Sequence, residues 1–133
     1  MRNTVRLAAA VLLVFGPGGG ACRKYTTQPI YRRPVISSVV AFPTTLGPGD
    51  STMITVTASD PNGDSLVYDW DAYNGLTTNG TRDNFLFSTK SPSRVFYGPT
   101  TFPYPVDTAF VICSVRDQRG GEDEREVLIF YKN

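Results

Sequence analysis

From Val35 onward, apolar and polar side chains alternate in short runs, each closed by a turn signal. In Ser51–Ser59, Ile54, Val56 and Ala58 fall on one face, and Thr55 and Thr57 take the other. Farther on, Leu66, Tyr68 and Trp70 alternate with Val67, Asp69 and Asp71, so the charged side is wet and Trp70 points inward. Ala109, Val111, Cys113 and Val115 alternate with Phe110, Ile112, Ser114 and Arg116, and Val127, Ile129 and Tyr131 with Leu128, Phe130 and Lys132. A period of two is the mark of strands with one buried face. Gly47-Pro48-Gly49-Asp50, Asp60-Pro61-Asn62-Gly63-Asp64, Asn74-Gly75, Asn79-Gly80, Ser91-Pro92, Gly98-Pro99 and Gly120-Gly121 separate the runs, and no window keeps a helical apolar period. The pattern predicts an all-β domain of about seven strands, near 35–42, 51–59, 66–72, 83–88, 94–97, 108–116 and 125–132, built as a sandwich or barrel.

Composition narrows the chemistry. The chain is 41% apolar and 12% aromatic, enough for one real core in the roughly 99 residues of 35–133. It contains no His, which removes imidazole acid–base catalysis and imidazole metal sites. Two Cys supply neither a disulfide framework nor a thiolate zinc site.

Charge and hydropathy set the N-terminus apart. Met1–Arg6 carries two arginines, Leu7–Phe15 is an apolar run too short to cross a bilayer, and small residues follow up to Ala21. This describes a signal peptide over 1–21, and hence export. Cys22 comes next, and Ala21-Cys22 resembles the lipidation site of bacterial lipoprotein precursors. The resemblance implies an acylated Cys22 as mature N-terminus, membrane attachment through lipid, and a place in the cell envelope. Arg23 after the cysteine leans, by the same resemblance, toward the outer membrane. Ordinary cleavage after Ala21 and secretion is the alternative. Residues 22–34 carry Arg23, Lys24, Arg32 and Arg33 with no acid, whereas 35–133 hold all twelve Asp and Glu against seven Lys and Arg. A basic tether thus precedes an acidic domain. The tether either lies on anionic head groups or is a solvated spacer, and the acidic domain argues against nucleic acid as a partner.

Within the domain, Asp60-Pro61-Asn62-Gly63-Asp64, then Tyr68-Asp69-Trp70, then Val115-Arg116-Asp117-Gln118-Arg119-Gly120-Gly121 occur in order. Together these segments resemble the bacterial immunoglobulin-like modules of the polycystic-kidney-disease-repeat kind. That resemblance implies an immunoglobulin-like antiparallel β-sandwich for 35–133. It says little about function, because this sandwich hosts many unrelated activities.

Several groups of residues are candidates for chemistry. Asp60, Asn62, Asp64 and Asp117 offer clustered oxygens of the kind Ca²⁺ requires, or simply a tight Asx turn in which Gly63 supplies a positive φ. Cys113, mid-strand and inward, reads as a buried thiol acting as a small hydrophobe. Asp69 and Asp71, two apart on one face, read as solvated carboxylates rather than a glycosidase pair. Phe110, Ile112, Leu128 and Phe130 would project outward on neighbouring strands. Covering about 400 Å² of such a face is worth on the order of 10 kcal/mol before association costs, so something is expected to pack on it. That something is a partner protein, a second copy, or the aromatic segment 73–105 folded over. Phe102 and Tyr104 are candidate glycan contacts. Neither a nucleophile–base arrangement nor a phosphate-cradling glycine motif is visible. The sequence therefore points to a membrane-anchored, non-enzymatic module that binds an envelope protein or glycan; a passive structural component of a surface assembly is the alternative.

Overall fold

The computed structural model describes residues 30–78, 87–101 and 107–132. Cys22, Phe102 and Tyr104 lie outside them, as do positions 83–86 of the fourth expected strand. Eight strands are present among the described residues, with no helix: β1 Val35–Phe42, β2 Thr45–Leu46, β3 Ser51–Ser59, β4 Val67–Tyr73, β5 Phe87–Thr89, β6 Ser93–Tyr97, β7 Thr108–Arg116 and β8 Glu122–Tyr131. They form two sheets, a three-stranded one ordered β1-β3-β6 and a five-stranded one ordered β2-β8-β7-β4-β5.

One core fills the space between the sheets. Trp70 from β4 and Phe96 from β6 are both fully buried, and their rings meet across it at 5.9 Å, tilted by 55°. Ile54, Val111, Val115 and Ile129 complete the centre, each from an inward position of its strand. Burying one such aliphatic side chain contributes about 1.5–3 kcal/mol, so the alternation is the main source of cohesion. In β1, Ile36 and Val39 are three apart and would face opposite ways in a regular strand. A register shift between Ile36 and Ser38 inserts the extra residue that turns both inward.

The structure departs from the expected all-antiparallel, seven-strand arrangement at two places. After the cis Phe42–Pro43 peptide, the chain leaves the three-stranded sheet, and Thr45–Leu46 pairs in parallel with Phe130–Tyr131 of β8. Leu46 is wholly buried there. Strand β8 also starts three residues earlier than its apolar content suggests. Glu122–Arg125, though charged, pair with Cys113–Arg116, since a ladder needs only backbone groups and one dry face.

The pairings define two ends. Val35, Ser59, Val67, Arg116 and Glu122 lie at the end where the chain enters; Phe42, Tyr73, Tyr97, Phe110 and Phe130 lie at the far end.

Candidate functional site

At the entry end the loops 60–66 and 117–121 come together. Asp60 sits at the end of β3, and its Oδ1 accepts the amides of Asn62 (2.7 Å) and Asp64 (3.1 Å), while Gly63 at φ +76° closes the turn. Asp117 follows β7 and caps its own loop in the same manner. Its Oδ1 accepts the amides of Arg119 (2.7 Å) and Gly121 (2.8 Å). Short Asx side chains that satisfy the backbone two and four residues on are why these loops are tight.

The two loops bring carboxylates of Asp60, Asp64 and Asp117 within 4.8 Å of one another. Protein groups meet part of this charge. Arg119 Nε lies 2.9 Å from Asp64 Oδ2 as an ion pair, and Tyr31 donates its hydroxyl to Asp117 Oδ2 at 2.7 Å. Asp60 Oδ2 is a buried oxygen with no hydrogen-bond donor among the described residues, and Asp64 Oδ2, also buried, has the Arg119 ion pair. Burial alone would raise the Asp117 pKa, but the Tyr31 hydroxyl and the amides of Gly121, Arg119 and Gly120 hold it below the ordinary value. Tyr31 is pushed upward, by desolvation first and by Asp117 second. Asn62, the remaining sequence candidate, turns to the incoming chain: its Oδ1 accepts the Arg32 amide (2.8 Å), and its Nδ2 donates to the Ile30 carbonyl (3.1 Å). The loops thus hold the segment 30–34, which sequence alone assigned to the spacer. Pro34 is fully buried, and the Ile36 amide donates to Asp123 Oδ2 at 2.7 Å.

The outer face of the five-stranded sheet carries the four apolar candidates. The first row at the far end is Tyr73, Phe110 and Leu128, directly paired across β4, β7 and β8. Tyr73 and Phe110 stack at 4.5 Å and 14°. Phe130 stands beyond that row; Phe130 and Leu128 are 48% and 44% exposed. The next row is Asp71, Ile112 and Glu126. Phe110 and Ile112 are half-buried. The Tyr73 hydroxyl donates to Asp71, which is the first cause of its raised pKa.

Deeper along the same face, Asp69 is buried rather than solvated, at 4% exposure. Arg116 and Ser88 both hydrogen-bond to it, and the Arg116 guanidinium keeps its carboxyl low against the opposing effect of burial. Its neighbour Asp71 remains partly exposed, so the two carboxylates have different surroundings. Cys113 lies on the inner side opposite Trp70, 1% exposed, its thiol pushed up to about 12 by burial.

A second apolar surface was missed by the sequence reading. Val40, Phe42, Met53 and Tyr97 are all exposed on the outside of the three-stranded sheet, and Phe42, Met53 and Val95 form one cross-strand row. The signal was present, because these positions alternate with inward Ala41, Ile54 and Phe96.

No protein-family model matches the chain, and no curated protein matches it. Among solved structures, it is similar to a nucleoside hydrolase-related hypothetical protein from Saccharophagus degradans described as associated with carbohydrate metabolism (TM-score 0.55, 19% identity). That likeness covers 77% of this chain but 26% of the other, so the chain spans about a quarter of that protein. It is a likeness of fold. A conjugative transposon lipoprotein from Bacteroides eggerthii also aligns (TM-score 0.45, 14% identity, covering 72% of this chain and 93% of that one).

Proposed function

We infer that this chain is a bacterial envelope lipoprotein with one immunoglobulin-like domain, which binds a protein partner through the outer face of its five-stranded sheet. Signal-like residues 1–21 and Cys22 support export and lipid attachment, toward the outer membrane, with secretion as the alternative. The observation that carries the binding reading is the distribution of exposed apolar side chains. On that face Tyr73, Leu128 and Phe130 gather toward the end opposite the docked entry segment, so an anchor at Cys22 would leave them facing away from the membrane.

A protein is favoured over a glycan as partner by ring geometry. Sugars stack on an open aromatic face, whereas Tyr73 and Phe110 turn their faces to each other. Catalysis is disfavoured by the absence of His from the sequence and by the Cys113 thiol, held neutral in the core. The Asp60–Asp64–Asp117 cluster is assigned to holding the chain entry, with Arg119 paired to Asp64 and the Tyr31 hydroxyl bonded to Asp117.

Two experiments test the reading. Labelled palmitate is incorporated into the full chain and is lost in Cys22→Ser. The domain retains an envelope protein on a column, and Leu128→Ser with Phe130→Ser abolishes retention while unfolding within about 1 kcal/mol of the parent. Retention that survives both serines removes this face from the proposal.

A further inference from the structure

Resting on that reading of the face, we propose that its partner is a basic, extended protein segment in which an apolar residue is flanked on one side, at spacings of two and four, by Lys or Arg. The proposal comes from how charge is laid out beside the apolar row. Outward positions of β4, β7 and β8 run from Tyr73, Phe110 and Leu128 to Asp71, Ile112 and Glu126, then to Asp69, Ser114 and Glu124, and end at Val67, Arg116 and Glu122. Within these strands the face has five carboxylates against one guanidinium, and Arg116 is already paired with Asp69.

Successive outward rows are two residues apart, roughly 6–7 Å. An extended segment lying along β8 has the same repeat. An apolar side chain set against Leu128 and Phe130 therefore brings the side chain two residues on beside Glu126 and the one four residues on beside Glu124. Glu124 accepts a hydrogen bond from the Ser114 hydroxyl (2.9 Å), which fixes one of its oxygens in place. The Asp71 carboxylate is likewise positioned by the Tyr73 hydroxyl. Cations suit this row; an anionic membrane surface or a nucleic-acid backbone is repelled by it. The apolar row supplies affinity and the carboxylates select the partner and speed its encounter.

Photo-crosslinking of the full chain in cells that make it tests this. Benzoylphenylalanine replaces Leu128, or Thr57 on the outside of the other sheet as a control. The expected result is protein adducts at position 128 at least five-fold above those at 57. Sequencing of the captured peptide shows Lys or Arg two and four residues from its crosslinked residue. Adding Glu126→Gln and Asp71→Asn lowers the yield at least five-fold. Adducts at 128 no more frequent than at 57 overturn the face as a binding site and the proposal with it. Adducts to an acidic or uncharged segment, indifferent to the two amide substitutions, overturn the charge selection alone and leave the site. Adducts to lipid, to glycan, or to residues 22–29 of a second copy overturn the partner named here.

Discussion

Tyr31 and Asp117, 86 positions apart in sequence, are joined by a 2.7 Å hydrogen bond from the phenol to Oδ2. The Arg119 guanidinium lies 6.0 Å from the centre of the same Tyr31 ring. Together with the two Asn62 bonds, this contact brings the end of the basic tether into the loop system of the domain. Tyr31→Phe keeps the ring and deletes the bond. Trypsin is expected to cut after Arg32 several-fold faster in that variant, with the folded remainder unaffected. Equal cleavage rates would place the hold elsewhere, on Asn62 and Pro34.

Gly121 explains why that loop accommodates the phenol. A β-carbon there would collide with the Tyr31 hydroxyl and the Asp117 carboxylate. Gly121→Ala is therefore expected to expel Tyr31 and accelerate the same cleavage at least as much as Tyr31→Phe. Gly120→Ala fails for a different reason, its φ of +87°, and should lower the melting temperature without that specific cleavage.

Acid should destabilise the fold through Asp69 and Asp117. Both have depressed folded pKa values, Asp69 chiefly through Arg116, and Asp117 through hydrogen bonds that overcome its desolvation. A depressed carboxyl stabilises the fold above its unfolded pKa of about 3.9, and that contribution disappears as the pH falls through the lower folded value. Urea midpoints should be flat from neutrality to about pH 5 and fall below about pH 4. Asp69→Asn should make the acid limb shallower; an unchanged slope would show that Asp69 does not contribute to it.

Trp70 is fully buried and touches Phe96 of the opposite sheet. Trp70→Ala is expected to cost about 3–5 kcal/mol, a large share of the roughly 5–15 kcal/mol that holds a small domain folded. As the sole tryptophan of the chain, its emission should be blue-shifted in the native protein and move red in one step with the loss of far-ultraviolet β signal.

Cys113 should resist thiol reagents at pH 8 until the protein unfolds, because burial pushes its pKa up to about 12. Tyr131 is also raised to about 12 by burial. Both groups are neutral in the fold and ionise more readily unfolded, near 8.5 and 10. Their contribution is complete below those values and is lost as the pH rises toward 12. Fast labelling of Cys113 in the native state would refute its burial.

The period of two in β3 and β7 allowed their ends to be read from sequence alone, because each buries one face and exposes the other. Features that broke that rhythm were invisible. Strand β2 is two residues long, and only Leu46 of it faces the core. The start of β8 is an acidic run whose ladder gives no apolar signal. Docking of Tyr31 and burial of Asp69 both depend on partners distant in sequence, which no local window contains. The Asp60, Asp64 and Asp117 loops were legible as turns from their Asx and Gly residues, whereas the arrival of Tyr31 and Arg119 between them was not.

The parallel pairing of β2 with β8 has a mechanical consequence. The chain enters at Val35 and leaves past Tyr131 at the opposite pole, so tension between the two runs along the strand axes. The hydrogen bonds from Phe130 to Thr44 and from Lys132 to Leu46, at 2.8 and 2.9 Å, then bear the stretch together rather than opening one by one. A domain stretched along this axis gives way by β2 sliding past β8, so the first step of its extension is set by a strand of two residues.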